Sequence, residues 1–239
     1  MLMAMVLAAA DPADFLAAVR ALDLARVERL LEDDPSLASA RDEKGSAVAA
    51  ALGARRGEGF VPRRQNRVLD AILRRQPRLA GWEVSAVGTA EDVRAQVAGD
   101  PAFVKSVAPN GWTPLHAAAF ADNAATAAIL LAAGADVNAR AKNKFDNTPL
   151  HVSMLSQSSE VAKVLMAHGA EIDARMSEGA TALHEAAMNG DAVSIRMLLD
   201  AGADPSLKMP NGKTALDLAR KGKHQEAARV LQAVSAKVR

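Results

Sequence analysis

The chain of 239 residues contains no cysteine and no tyrosine, and its aromatic content is 3%, from 2 Trp and 5 Phe. Without cysteine there is no disulfide framework, no thiolate nucleophile and no thiolate zinc site. The shortage of aromatics argues against a β-sandwich or barrel, because strands draw heavily on aromatic and β-branched residues. An excess of one charge is also missing. Lys and Arg number 29 against 28 Asp and Glu, a net charge of +1, so the global field of a dedicated nucleic-acid binder is absent and any charged partner must be recognised locally. No stretch approaches the ~20 apolar residues that cross a bilayer. The apolar start, MLMAMVLAAA, has no Lys or Arg ahead of it as a secretory signal has. It reads as the frayed start of a first helix in a cytoplasmic protein, with a secretory or lipid-facing segment as the alternative. What is plentiful is small and aliphatic: 50% of residues are hydrophobic, mostly Ala, Leu and Val, which suits helices packed closely on one another. The expected class is all-α.

A repeat governs the second half. GWTPLHAAAF starts at Gly111, DNTPLHVSML at Asp146, GATALHEAAM at Gly179 and GKTALDLARK at Gly212, and the equivalent threonines, Thr113, Thr148, Thr181 and Thr214, follow at steps of 35, 33 and 33. In the first unit Thr113 is placed to cap a helix, and Pro114 sits at the first helical position, where its missing N–H is not needed. Leu115, Ala118 and Ala119 give that helix a narrow apolar face, and a turn near Asp122 and Asn123 ends it. A second helix carries Ile129, Leu130 and Leu131 and stops at Gly134 in the left-handed conformation. One such pair buries little, so stability must come from stacked neighbours.

Earlier residues follow the same grammar less regularly. Phe15 to Leu37 reads as a helix, a turn at Asp23 and a second helix ended by Asp33, Asp34 and Pro35. Gly45 to Gly57 and Arg67 to Arg75 read as another pair, and Trp82 to Val87 with Glu91 to Val97 as a third.

The TPLH copies in register resemble the ankyrin repeat, and the whole chain resembles the ankyrin-repeat proteins of similar length that are widespread in bacteria. The resemblance implies an all-α solenoid of about seven helix-turn-helix units in one domain over residues 1–239. Three degenerate repeats would fill 11–108 with an inserted loop at 57–66, three clear repeats 109–208, and a C-terminal capping repeat 209–239. In the last unit Asp217 replaces the motif histidine, and Arg220, Lys221 and Lys223 put charge where the outer face of a cap meets water.

Little in the sequence supports catalysis. His116, His151 and His184 recur three residues after the capping threonines, where a ring can brace the turn. In the ankyrin family this histidine is structural, and equivalent positions about 10 Å apart cannot share a zinc ion that needs ligands at about 2 Å. His168 and His224 are expected to be exposed residues near helix C-termini. Ser156, Ser158 and Ser159 lack the GxSxG context of a nucleophile and read as a solvated turn. No GxxxxGK[ST] loop occurs. The expectation is therefore no enzyme, no cofactor and no bound metal.

Two surface features remain. From Arg55 to Arg78 the local balance is +6, with Arg55, Arg56, Arg63 and Arg64 around the 57–66 insertion, while Asp11 to Glu43 carries −5. Clustered arginines suit phosphate or carboxylate recognition, so a polyanion or nucleic acid is one expected partner class; mutual neutralisation with the acidic segment is the alternative. In ankyrin proteins the concave binding face is formed by the turn tips and the exposed side of each first helix. Those positions hold Trp112, Phe120, Phe145, Leu155 and Met188, residue types favoured at interface hot spots. The resemblance thus implies an unidentified protein partner bound there, although Phe120 and Leu155 are also suited to tuck between repeats.

Overall fold

The computed structural model describes the chain except residues 1–10, 44, 53–54, 57–58, 61–65, 76–78, 80 and 236–239. Two compact units are present, residues 1–80 and 81–239. Among the described residues there are fourteen α-helices in seven consecutive pairs, and the only strands are two pairs of two-residue segments. No helix among them is long and apolar enough to cross a membrane.

In the first unit α1 (Pro12–Arg20) and α2 (Leu24–Asp33) form one pair, and α3 (Ala47–Leu52) and α4 (Arg67–Leu73) the next. First helix packs on first helix and second on second, around Phe15, Leu16, Leu31, Leu69 and Ile72, all fully buried. Local chemistry sets the boundaries. Asp11 and Asp23 cap α1 and α2 through their side chains, satisfying N–H groups that a helix start leaves free. Buried Asn66 caps α4 by accepting from Leu69 N at 3.0 Å and donates to Ala51 O at 2.7 Å, so one side chain ties the end of α3 to the start of α4. Past α2 the chain makes a 3₁₀ turn, Pro35–Ser39, begun by Asp34. Strands β1 (Arg41–Asp42) and β2 (Gly45–Ser46) pair antiparallel, as do β3 (Arg55–Arg56) and β4 (Gly59–Phe60). Part of the expected loop insertion is therefore paired backbone.

The second unit holds five pairs: α5 (Trp82–Val87) with α6 (Ala90–Gly99), α7 (Pro114–Phe120) with α8 (Ala124–Ala132), α9 (Pro149–Leu155) with α10 (Ser159–Ala167), α11 (Ala182–Met188) with α12 (Ala192–Asp200), and α13 (Ala215–Lys221) with α14 (Gln225–Ser235). The first helices form an unbroken stack from α5 to α13. Alanines are buried where several of them meet, Ala117, Ala118 and Ala119 in α7 and Ala186 and Ala187 in α11, which permits close approach of backbones, whereas α9 buries Val152, Ser153 and Met154. Gly134 (φ 88°) ends α8 with Gly134 N bonded to Leu131 O and Ala135 N to Leu130 O, the paired closure that a left-handed residue allows.

Candidate functional site

The exposed side of the second unit is organised by its turn tips. Ala108 N bonds to Trp112 O, Met176 N to Ala180 O and Met209 N to Lys213 O, so three tips close as five-residue turns. The fourth, closed by Ala141 N and Asn147 O, spans seven residues, which accounts for the longer step of 35. Residues with positive φ occupy equivalent places in all four tips: Gly111, Asp146, Gly179 and Gly212. Gly111 is constrained twice, because a Cβ there would lie 2.4 Å from Lys142 O.

Adjacent tips are stitched together. Lys142 N donates to Gly111 O at 2.7 Å and Asn143 Nδ2 to Asn110 O at 3.0 Å, while one repeat later Ser177 N donates to Phe145 O and Ser177 Oγ to Lys144 O. Arg140 pairs with Asp146 and donates to Arg175 O, and Arg175 donates to both Gly179 O and Lys208 O. These arginines went unrecognised in the sequence reading, although the recurring NAR and DAR at 138–140 and 173–175 signal them.

The motif histidines join the helix starts to this stitching. Thr113 N donates to His116 Nδ1 at 3.2 Å, so Nδ1 is the acceptor and the ring proton sits on Nε2, which reaches Asn147 O of the following repeat at 3.0 Å. His151 repeats the arrangement with Thr148 and Ala180 O. His184 accepts from Thr181 N and faces Lys213 without closing the outer bond. Burial depresses His116 and His151 to about 4 and lowers His184 as well. At neutral pH all three are uncharged braces rather than proton-transfer groups.

Two histidine and serine expectations are corrected. His168 is exposed and its Nδ1 bonds Val164 O at 2.8 Å, as a helix-end residue should. His224, however, lies just before α14, half-buried, with Nε2 on Met188 O at 3.0 Å. It is an inter-repeat link because its ring fills space against Gly190 that a Cβ would occupy. Asn123 on Gly88 O, Ser156 on Ala119 O and Asn189 on Met154 O make similar links. The serine cluster is accordingly not a solvated turn: Ser158 is buried, and Ser156 is held by two carbonyls.

The five candidate contact residues fall in different environments. Phe145 is 40% exposed at its tip and Met188 50% exposed at the end of α11. Lys144 Nζ lies 4.9 Å from the centroid of the Phe145 ring. Leu155 is half-buried. Trp112 is also half-buried, stacked at 6.5 Å on His116 and tilted at 5.2 Å against Phe120. Phe120 is withdrawn from the surface, at 8% exposure; it lies on the last turn of α7, beneath Trp112, and serves as that ring's support. Of the arginine set, Arg63 and Arg64 lie outside the described residues, and Arg55 and Arg56 are described as backbone of β3. Farther along the same basic stretch Arg74 pairs with Glu28 at 3.4 Å, beside a shallow hollow of about 240 Å³ that Glu32 and Arg75 also line.

A family model for ankyrin repeats (3 copies) matches residues 84–176 and 173–239. The chain belongs to the ankyrin-repeat family. Among curated proteins, none matches it. Ankyrin repeats generally mediate protein–protein interaction and are typically not catalytic, and in the second unit His116, His151, Asn143, Arg140 and Arg175 bond one repeat to the next.

Proposed function

We propose that the protein is a non-catalytic scaffold that binds a partner protein through the turn tips and first helices of its second unit. The direct contacts are Phe145, Met188, Leu155 and the accessible edge of Trp112, with Phe120 holding Trp112 in place. One observation carries this reading. Among the described residues the large hydrophobics that stay exposed are Val107, Phe145, Met188 and Val193; the two bulkiest lie at a turn tip and at the end of a first helix, which supports reading that side as the recognition face. Such residues are the usual anchors of a desolvated interface. We read residues 209–239 as the cap of the second unit's array.

The test is the double substitution Phe145→Ser with Met188→Ser. It should leave the melting temperature within a few degrees, since both side chains are exposed, and should abolish capture of the partner protein from a lysate of the source cells. Retained capture excludes this face. Binding of a polyanion through Arg55, Arg56, Arg63 and Arg64 is the second reading, supported by the +6 balance of residues 55–78 and weakened by the Arg74–Glu28 pair. It requires affinity to fall steeply with salt, which an apolar interface does not.

A further inference from the structure

Within the proposed face, one position breaks the apolar pattern. Glu185 stands in the first helix of its repeat at the register that Ala117, Val152 and Leu218 occupy in the others. It is half-buried, and Glu178, exposed at the preceding turn tip, is near enough for its charge to act on it. Burial first, and then Glu178, raise the Glu185 carboxyl above the ordinary carboxylate range. Neither glutamate takes part in an ion pair among the described residues, whereas Glu28, Asp42, Asp146, Glu160 and Glu226 all do.

Apolar side chains flank the pair. Met188 follows one helical turn later, and Phe145 lies at the adjoining tip, whose main chain bonds to Ser177 next to Glu178. A carboxylate partly removed from water beside a like charge is costly to keep ionised, and no ion pair among the described residues offsets it. A cation arriving with an apolar stem would relieve that cost while covering Met188, and lysine and arginine have such a stem. Of the basic side chains on the tips here, Arg175 is spent on the carbonyls of Gly179 and Lys208, and Lys144 is engaged over the Phe145 ring.

We propose that the partner is a protein segment presenting a lysine or arginine to Glu185 and Glu178, its methylenes along Met188, with a neighbouring large apolar side chain against Phe145. This rests on the binding-face reading above. An acidic segment or a nucleic acid would instead meet repulsion at this place.

The experiment is selection of a phage-displayed library of random dodecapeptides against the immobilised full chain, followed by titration of a synthetic peptide of the enriched sequence. Enriched peptides should share a Lys or Arg beside Leu, Ile, Phe or Met. Replacing that cation by norleucine in the peptide should weaken binding about tenfold or more, as removal of a desolvated charge partner does. Glu185→Gln should do the same, and Glu178→Gln, whose side chain is exposed, should weaken binding to a lesser degree. The double change Glu185→Lys with Glu178→Lys should turn the selection toward acidic peptides. Peptides that respond to Phe145→Ser and Met188→Ala but not to loss of either charge leave the face standing and overturn the cation. Peptides indifferent to Phe145 and Met188 overturn the face itself. Enrichment of acidic peptides, no enrichment at all, or a wild-type dimer in sedimentation that Met188→Ala dissociates would each overturn the proposal.

Discussion

Acid should weaken this protein well before its carboxylates titrate, and the histidine braces fix by how much. His116 and His151 have ordinary values of 6.5 and are held at about 4 in the fold. Burial is the main cause for both rings. Geometry agrees: Nδ1 already accepts from a threonine N–H, so a proton there would set two donors against each other. With the folded value below the unfolded one, the unfolded chain binds more protons as pH falls. The stabilisation is complete above about pH 6.5, is lost progressively between there and about pH 4, and changes no further below. Each ring removes about 1.4 kcal/mol per pH unit within that window, so the pair removes on the order of 2 to 3 kcal/mol between pH 6 and 5. That is a large share of the roughly 5 to 15 kcal/mol that stabilises a domain. His184 shifts in the same direction, while Glu185, raised by burial, opposes them, since its native form takes up a proton earlier than the unfolded chain does. Urea unfolding followed by circular dichroism at closely spaced pH values measures the slope. His116→Gln keeps a side chain able to reach back to the cap and removes one titration, so it should reduce the slope by about 1 kcal/mol per pH unit. A midpoint constant from pH 7.5 to 5 would falsify the assignment of these rings as buried and neutral.

The remaining expectations concern packing and backbone. Trp112→Ala should lower stability by about 1 to 2 kcal/mol, because the ring is partly buried and packs on His116 and Phe120 and aromatic pairs add to area burial; no change in melting temperature would show that the stack contributes nothing. Gly111→Ala should be worse than Gly134→Ala in the same assay, since both have positive φ but only Gly111 would drive a Cβ onto a backbone carbonyl; the Gly134 change should cost about 1 kcal/mol, and equal effects would refute the close approach. Truncation after Asp204 removes α13 and α14 with fully buried Ala219, Ala227 and Leu231; at roughly 1.5 to 3 kcal/mol for a buried leucine alone, the urea midpoint should fall by several kcal/mol equivalent, and an unchanged midpoint would rule out the capping role.

What was legible in the sequence and what was not divide along a physical line. Thr113, Pro114 and Gly134 act on their own neighbours, through a cap, a fixed φ and a left-handed closure, so their roles could be read from local order. The helix pairs of the first unit were also readable, because Phe15, Leu16, Val27 and Leu31 keep helical spacing. His224, Ser156, Asn189, Arg140 and Arg175 were missed or misjudged because their partners are main-chain carbonyls some 33 to 37 residues away, groups that every residue possesses and that leave no mark in sequence. Phe120 and Trp112 share a short segment with helical spacing, and only the packing decides which of two adjacent aromatics is covered. Strands of two residues are too short to produce an alternating pattern. The loneliness of Glu185 is invisible without knowing what fails to approach it.

Because the stitching ends on carbonyl oxygens, the side chains at the receiving positions are left free to differ. His116 reaches the main chain of Asn147 and His151 that of Ala180, and the corresponding position one repeat earlier is Trp112, one later Lys213. An indole, an amide, a methyl group and an ammonium thus occupy one structural column, and at the amide and the methyl group the histidine bond to the main chain is closed alike. Asn147 and Ala180 are buried, so changes at covered positions of the column answer to side-chain packing while the exposed tip residues beside them can change for a partner, and a whole repeat can be duplicated or lost with its bonds re-formed to the next neighbour. In such a molecule inheritance of the scaffold and drift of its specificity proceed almost independently.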